Sequence, residues 1–244
     1  MLGPVRLIAS AAALVATLSV TACAAQFSAP AQAGGSSKHR PAAASRASAS
    51  SPTPSPTPNP DAPLPVAPGT GKLPQTTARP RAYGPAWHAM VTDLWLAVRT
   101  GKPNLARQAF FPVDAYKQVK AIYNPGSDWR WRLWLEFTLD VKAAHALLGS
   151  DPASARLVRV IVAEPYATWI TPGVCYNRIG YWHVANARVV YRQNGQERSF
   201  GIASLISWRG VWYVVHFGGV TRGNVGMVDS PAAGPGYDGP QGGC

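Results

Sequence analysis

The chain predicts an α+β domain, with N-terminal helices packed on one face of a C-terminal curled antiparallel sheet. Three observations carry this. Apolar residues recur at helical spacing from Trp87 to Leu148, and from Leu157 the spacing drops to two. Asn194-Gly195 then stands between two alternating runs as a two-residue hairpin signal. Helices that cover one face of an antiparallel sheet make an α+β fold.

The elements follow in order. AWHAMVTDLWLAVRT, residues 86–100, sets Trp87, Val91, Leu94 and Val98 on one stripe, and Gly101 supplies a C-terminal stop. Pro103 suits a first helical position, and LARQAFF runs from there into Pro112. VDAYKQVKAIY is a further helical segment, ended by Asn124-Pro125-Gly126. Ser127 or Asp128 can cap the next helix, whose stripe is Leu133, Phe137, Val141, Ala144 and Leu148. On that stripe Glu136 and Asp140 fall on the solvated side, as does Asp93 on the first helix.

LVRVIVAEP is one strand and ATWIT a short second one. A loop at Asn194-Gly195 sets Arg192 against Glu197, Val189 against Phe200, Ala187 against Ile202 and His183 against Ile206. A second loop at Arg209-Gly210 sets Trp208 against Val211 and Ile206 against Tyr213. Each face must then come out consistent, because side chains alternate with period two. One face collects Tyr181, His183, Val189, Phe200, Ile202, Ser204, Ile206, Trp208, Tyr213, Val215 and Phe217, which is a core face. The other is polar near the hairpin but apolar around Trp182, Val184, Leu205, Trp212 and Val214, with His216 at its end. Such a patch predicts a contact: self-association, cover by the chain's own tail, or a foreign partner.

Composition bounds the rest. The net charge is +12 over 244 residues, yet positions 1–82 hold seven Lys/Arg against Asp61 alone, leaving 16 against 10 in the domain. The domain's basic residues are scattered singly, which argues against a nucleic-acid partner. Anionic lipid headgroups or wall polymers are the available partners outside a cell, unless the surface is simply basic. The five His are dispersed, no metal-ligand spacing occurs and no cofactor is implied.

The first 22 residues have a short charged start, an apolar run and a small-residue site, as a secretory signal does. Val20-Thr21-Ala22-Cys23 resembles the lipobox of bacterial lipoproteins. The resemblance implies acylation at Cys23, cleavage just before it, and an extracytoplasmic domain anchored to the cell membrane. Residues 23–82, Ala/Ser/Pro-rich and including SPTPSPTPNPDAPLPVAP, read as a disordered stalk or a bland tether. The globular domain then covers 83–228, with a Gly/Pro-rich tail over 229–244. Cys175 and Cys244 remain after cleavage; they can bridge to each other, or Cys244 can pair between chains.

The order of elements between Trp87 and Phe217 is similar to the nuclear-transport-factor-2-like, or cystatin-like, cone-shaped folds. The Ala/Pro/Arg bias and segments such as ASLISWRGVWYVVHF resemble actinobacterial secreted proteins. The fold resemblance implies an apolar cone that some relatives use for acid/base chemistry and others for binding. His183, with Tyr181 and Tyr213 on the same face, is the candidate general base with phenol donors, against a buried histidine satisfied by its surroundings. GNVGMV near the C-terminus precedes no helix pattern and is not a phosphate loop. The sequence therefore points to a cell-envelope lipoprotein whose stalked domain is a noncatalytic binding or interaction module. Its partners would be the membrane through the anchor, an anionic wall polymer or envelope protein, or a second copy through the sheet. The alternative is a small enzyme of isomerase, dehydratase or hydrolase type using His183.

Overall fold

A computed structural model describes Asn59 and residues 61–219 and 223–239. The leader, Cys23, most of the expected stalk and Cys244 lie outside the described residues. The first helix, α1, spans Pro85–Thr100 and stops where expected: Gly101 sits at φ 66°, and its N–H returns to the carbonyl of Val98. A 3-10 turn over Pro103–Ala106 leads to α2, Val113–Val119. The third helix, α3, changes pitch along its length. Pro125–Asp128 is α-helical, Trp129–Trp134 winds as a π-helix, and Leu135–Ala146 returns to α.

Its start corrects the expected cap. Asn124, not Ser127 or Asp128, is the N-cap, and its Oδ1 accepts from the Ser127 amide at 3.1 Å. The π turn has a visible consequence. Trp129 and Trp134 are five residues apart, and their rings stack 5.9 Å apart at an interplanar angle of 7°. The Arg107 guanidinium lies over both, 4.9 and 4.3 Å from the ring centres.

Eight strands follow: β1 Arg156–Ile161, β2 Thr168–Ile170, β3 Tyr181–Val184, β4 Ala187–Gln193, β5 Gln196–Ile202, β6 Ser204–Trp208, β7 Val211–His216 and β8 Asp229–Ala233. They form two four-stranded antiparallel sheets, ordered β1-β4-β5-β8 and β2-β3-β6-β7. Every cross-strand pair expected for the two hairpins is present. Asn194, Gly195, Arg209 and Gly210 all have positive φ, as two-residue hairpin loops with right-handed strand twist demand. The two long strands expected on either side of Asn194-Gly195 are each interrupted, at Ala185-Asn186 and at Ala203. Asn186 turns through φ 51°, and the single curled sheet divides into two.

The helices meet the sheets through a chain of aromatic contacts. Trp95 of α1 packs on Tyr191 at 5.4 Å, Tyr191 on Phe200 at 6.3 Å, Phe200 on Phe217 at 5.5 Å, and Phe217 on Phe137 of α3 at 5.7 Å. The edge of β7 is closed by residues 109–111: the Phe111 amide donates to the Val214 carbonyl, and the Val214 amide to that of Ala109.

Two expectations about the flanks are corrected. Residues 61–82 do not behave as stalk: Asp61 pairs with Arg99 and the Leu64 amide bonds to Asp93 on α1, while residues 75–80 run along the β2-β3-β6-β7 sheet. Trp182 Nε1 donates to the Thr77 carbonyl at 2.8 Å, and Trp212 Nε1 to that of Pro80 at 3.0 Å. Gln75 accepts from the Arg209 amide and donates to the Gly180 carbonyl. The tail is not mere tail either. Asp229–Ala233 pairs with β5, and residues 237–239 are held at the β3–β4 turn, where Asn186 Nδ2 donates to the carbonyls of Tyr237 and Gly239.

The three carboxylates expected in solvent are buried. Asp93 accepts from the Leu64 amide at 2.7 Å and from Gln108. Asp140 accepts from the amides of Phe217, Gly218 and Met227 at 3.0, 3.3 and 2.9 Å. Glu136 faces His216. Each is covered by chain that is remote in sequence from its own helix.

Candidate functional site

The helices and the inner face of the β2-β3-β6-β7 sheet do not close on each other. Between them lies a cavity of about 500 Å³. Its apolar wall comes from Phe111 and Val119 on the α2 side, Leu133 on the π turn, and Ile170, Ile206 and Val215 on the sheet. Antiparallel register puts different polar groups at its two ends.

At one end stand His183, Ser204 and His216. His183 Nε2 lies 3.1 Å from Ser204 Oγ across the β3–β6 pair, and His183 is 7% exposed. Ser204 opposes His216, whose Nδ1 is 3.6 Å from Glu136 Oε2 on α3. His216 was expected on the outer face. An irregularity between Ser204 and Leu205 shifts the register by one residue, so that the last residues of β7 turn inward.

At the other end stand Tyr181, Tyr116, Lys120 and Arg132. The Tyr181 hydroxyl accepts from Asn177 Nδ2 at 3.1 Å; burial pushes its pKa up, against the opposing hydrogen bond. Tyr116 and Arg132 are tied to one carboxylate. Arg132 donates to both Asp128 oxygens, at 2.8 and 2.6 Å, and to the Tyr116 hydroxyl at 2.9 Å, while Tyr116 donates to Asp128. Burial and the bond to Asp128 together raise the Tyr116 pKa strongly. For Asp128, burial acts upward, but the hydrogen bonds from Arg132 and Tyr116 outweigh it and hold the carboxyl below its ordinary range.

Lys120 is placed by backbone. The chain after β2 runs against the end of α2, with the Arg178 amide donating to Val119 and the Ala121 amide to Tyr176, each at 2.7 Å. Lys120 Nζ then donates to the Cys175 carbonyl at 2.9 Å. Burial first, and the neighbouring Arg132 second, lower the lysine's pKa.

Of the candidate acid/base residues, His183 and Tyr181 line the cavity and Tyr213 does not. Its hydroxyl is lodged against Gly71, where an added Cβ would approach it to 3.1 Å. The expected interface residues Val184, Leu205, Trp212 and Val214 are buried and Trp182 is half-buried, so that apolar patch is not open. Cys175 is disulfide-bonded; the expected partner, Cys244, lies outside the described residues. Lys120, Arg132 and Tyr116 were missed by the sequence. Tyr116 shares the buried side of α2 with Val119, but Lys120 leaves the helix in extended backbone and bridges to Asn177, and no sequence periodicity announces it or Arg132.

Among the described residues no group of three or more His, Cys, Asp or Glu is arranged to hold a metal, and no helix is long and apolar enough to cross a membrane. No known family model, curated protein or solved structure matches this chain.

Proposed function

We propose that the chain is a cell-envelope lipoprotein, anchored to the membrane through Cys23, whose folded part is a noncatalytic module binding a small, mainly apolar ligand between helices and sheet. The cavity is the observation that carries this. Its volume falls in the range of small-molecule sites, which combine apolar walls with a few convergent polar groups. A domain whose only task was to present an outer surface would gain stability by filling that space with side chains.

The test is to purify the full chain from a bacterial host, denature it, extract it with solvent and analyse the extract by mass spectrometry. A stoichiometric small molecule, absent from the variant Ile206→Trp that fills the cavity, is the expected result. Equal extracts from both proteins would sink the proposal.

One contact favours an enzyme instead. A histidine nitrogen within 3.1 Å of a serine hydroxyl, inside a pocket, is the arrangement that activates serine for acyl transfer. In that case His183 takes the hydroxyl proton, Ser204 Oγ bonds to an ester carbonyl carbon, and the alkoxy group leaves with the proton. A burst of nitrophenol from a nitrophenyl ester, with an acyl group found on Ser204, would establish it; no burst and no adduct would leave binding alone.

A further inference from the structure

We infer that the ligand of this cavity is a monoanion with an apolar body, such as a carboxylate on a hydrocarbon chain, its charged group held against Lys120. The inference rests on the binding function proposed for the cavity and names the chemical class that it takes.

The groups that face Lys120 carry the argument. Arg132 and Tyr116 line the same end, and Asp128 stands behind them. Asp128 is already engaged by two nitrogens of Arg132 and by the Tyr116 hydroxyl. Arg132 and Asp128 therefore neutralise each other. Lys120 is in direct salt-bridge contact with no carboxylate among the described residues; it feels Asp128 only from a distance, and its hydrogen bond to the Cys175 carbonyl goes to a neutral acceptor. An ammonium carries three N–H donors, so two remain. Glu136, one turn beyond Arg132 on α3, faces His216 and also attracts Arg132. His183, Ser204 and His216 stand at the far end. The lining holds two cationic side chains, Lys120 and Arg132, and no carboxylate; Asp128 and Glu136 stand behind Arg132, and Lys120 is the cation not bonded to a carboxylate.

A half-buried amine is costly to keep charged, and burial has already lowered its pKa. A neutral ligand would bury it further with nothing in return. One negative charge at Lys120 would complete the pair, while the hydrocarbon covers Val119, Leu133, Ile170 and Ile206.

The test is titration calorimetry of the purified full chain carrying Cys23→Ser, so that no acyl group is attached, in detergent-free buffer, with decanoate and with its neutral methyl ester. The expected result is saturable decanoate binding at least tenfold tighter than the ester. Lys120→Met should bring decanoate down to the ester's affinity, and Lys120→Arg should keep the preference. Filling the cavity by Ile206→Trp, or by Ala203→Leu should the first variant unfold, should abolish binding of both. Ester and acid binding equally well, both lost on filling, would overturn the anion while leaving the cavity as the binding site. Binding of neither compound, or binding that survives filling, would overturn both.

Discussion

Trp212→Phe probes the packed segment ahead of α1 more sharply than any truncation. Trp212 is 1% exposed, and its indole nitrogen donates to the Pro80 carbonyl at 3.0 Å. Phenylalanine leaves that buried carbonyl without its donor, which costs about 1–3 kcal/mol. The lost ring volume adds about 1 kcal/mol. A loss of about 2–4 kcal/mol is therefore expected in urea unfolding. Arg81 follows Pro80 and precedes Ala82, so trypsin should cut after Arg81 faster in the variant than in the parent. Trp131→Phe is the control, because Trp131 is 69% exposed on the far side of the π turn; it should stay within about 0.5 kcal/mol. If Trp212→Phe matched that control, and the parent were cut after Arg81 as fast as an unfolded peptide, residues 61–82 would be stalk after all.

Asp140→Ala strips the acceptor from three amides, two of them buried, and should cost about 2–4 kcal/mol, with faster hydrogen exchange at Met227. Gly226→Ala would bring a Cβ within 2.2 Å of the Leu139 carbonyl oxygen, a backbone atom that cannot swing away; an unfolding loss of about 1–3 kcal/mol is expected. Asp128 has a folded pKa below its unfolded value, so its contribution is present above about pH 4 and is lost as pH falls through the folded pKa. Asp128→Asn should therefore cost about 1 kcal/mol at neutral pH, as befits a solvent-screened pair, and flatten the acid limb of stability against pH. An acid limb identical to the parent's would show that Asp128 is not held by Arg132.

The register of the sheets was legible because Asn-Gly and Arg-Gly each leave one loop length, and alternation then fixes every opposing pair. The helix stripes were legible for the same reason: Leu133, Phe137 and Val141 are all buried. What stayed hidden was contact between residues distant in the chain. Residues 61–82 have the composition of a tether, and they are held by backbone carbonyls accepting from Trp182 and Trp212, which no periodicity announces. Asp93 and Asp140 looked solvated because each was weighed against its own helix, while their donors come from Leu64, Gln108 and residues 217–227. His183 was placed correctly on the core face. Its neighbour His216 was not, since one irregularity reverses the alternation on which the face assignment depends. Lys120 directly follows α2 in extended backbone, and nothing in the sequence sets it apart from the other scattered basic residues.

A crystal structure of the full chain grown with bromine-tagged decanoate tests the central claim most directly. The account predicts an anomalous bromine peak inside the cavity, with the carboxylate within hydrogen-bond reach of Lys120 Nζ. A cavity without bromine, with the acid bound elsewhere or not at all, would contradict it.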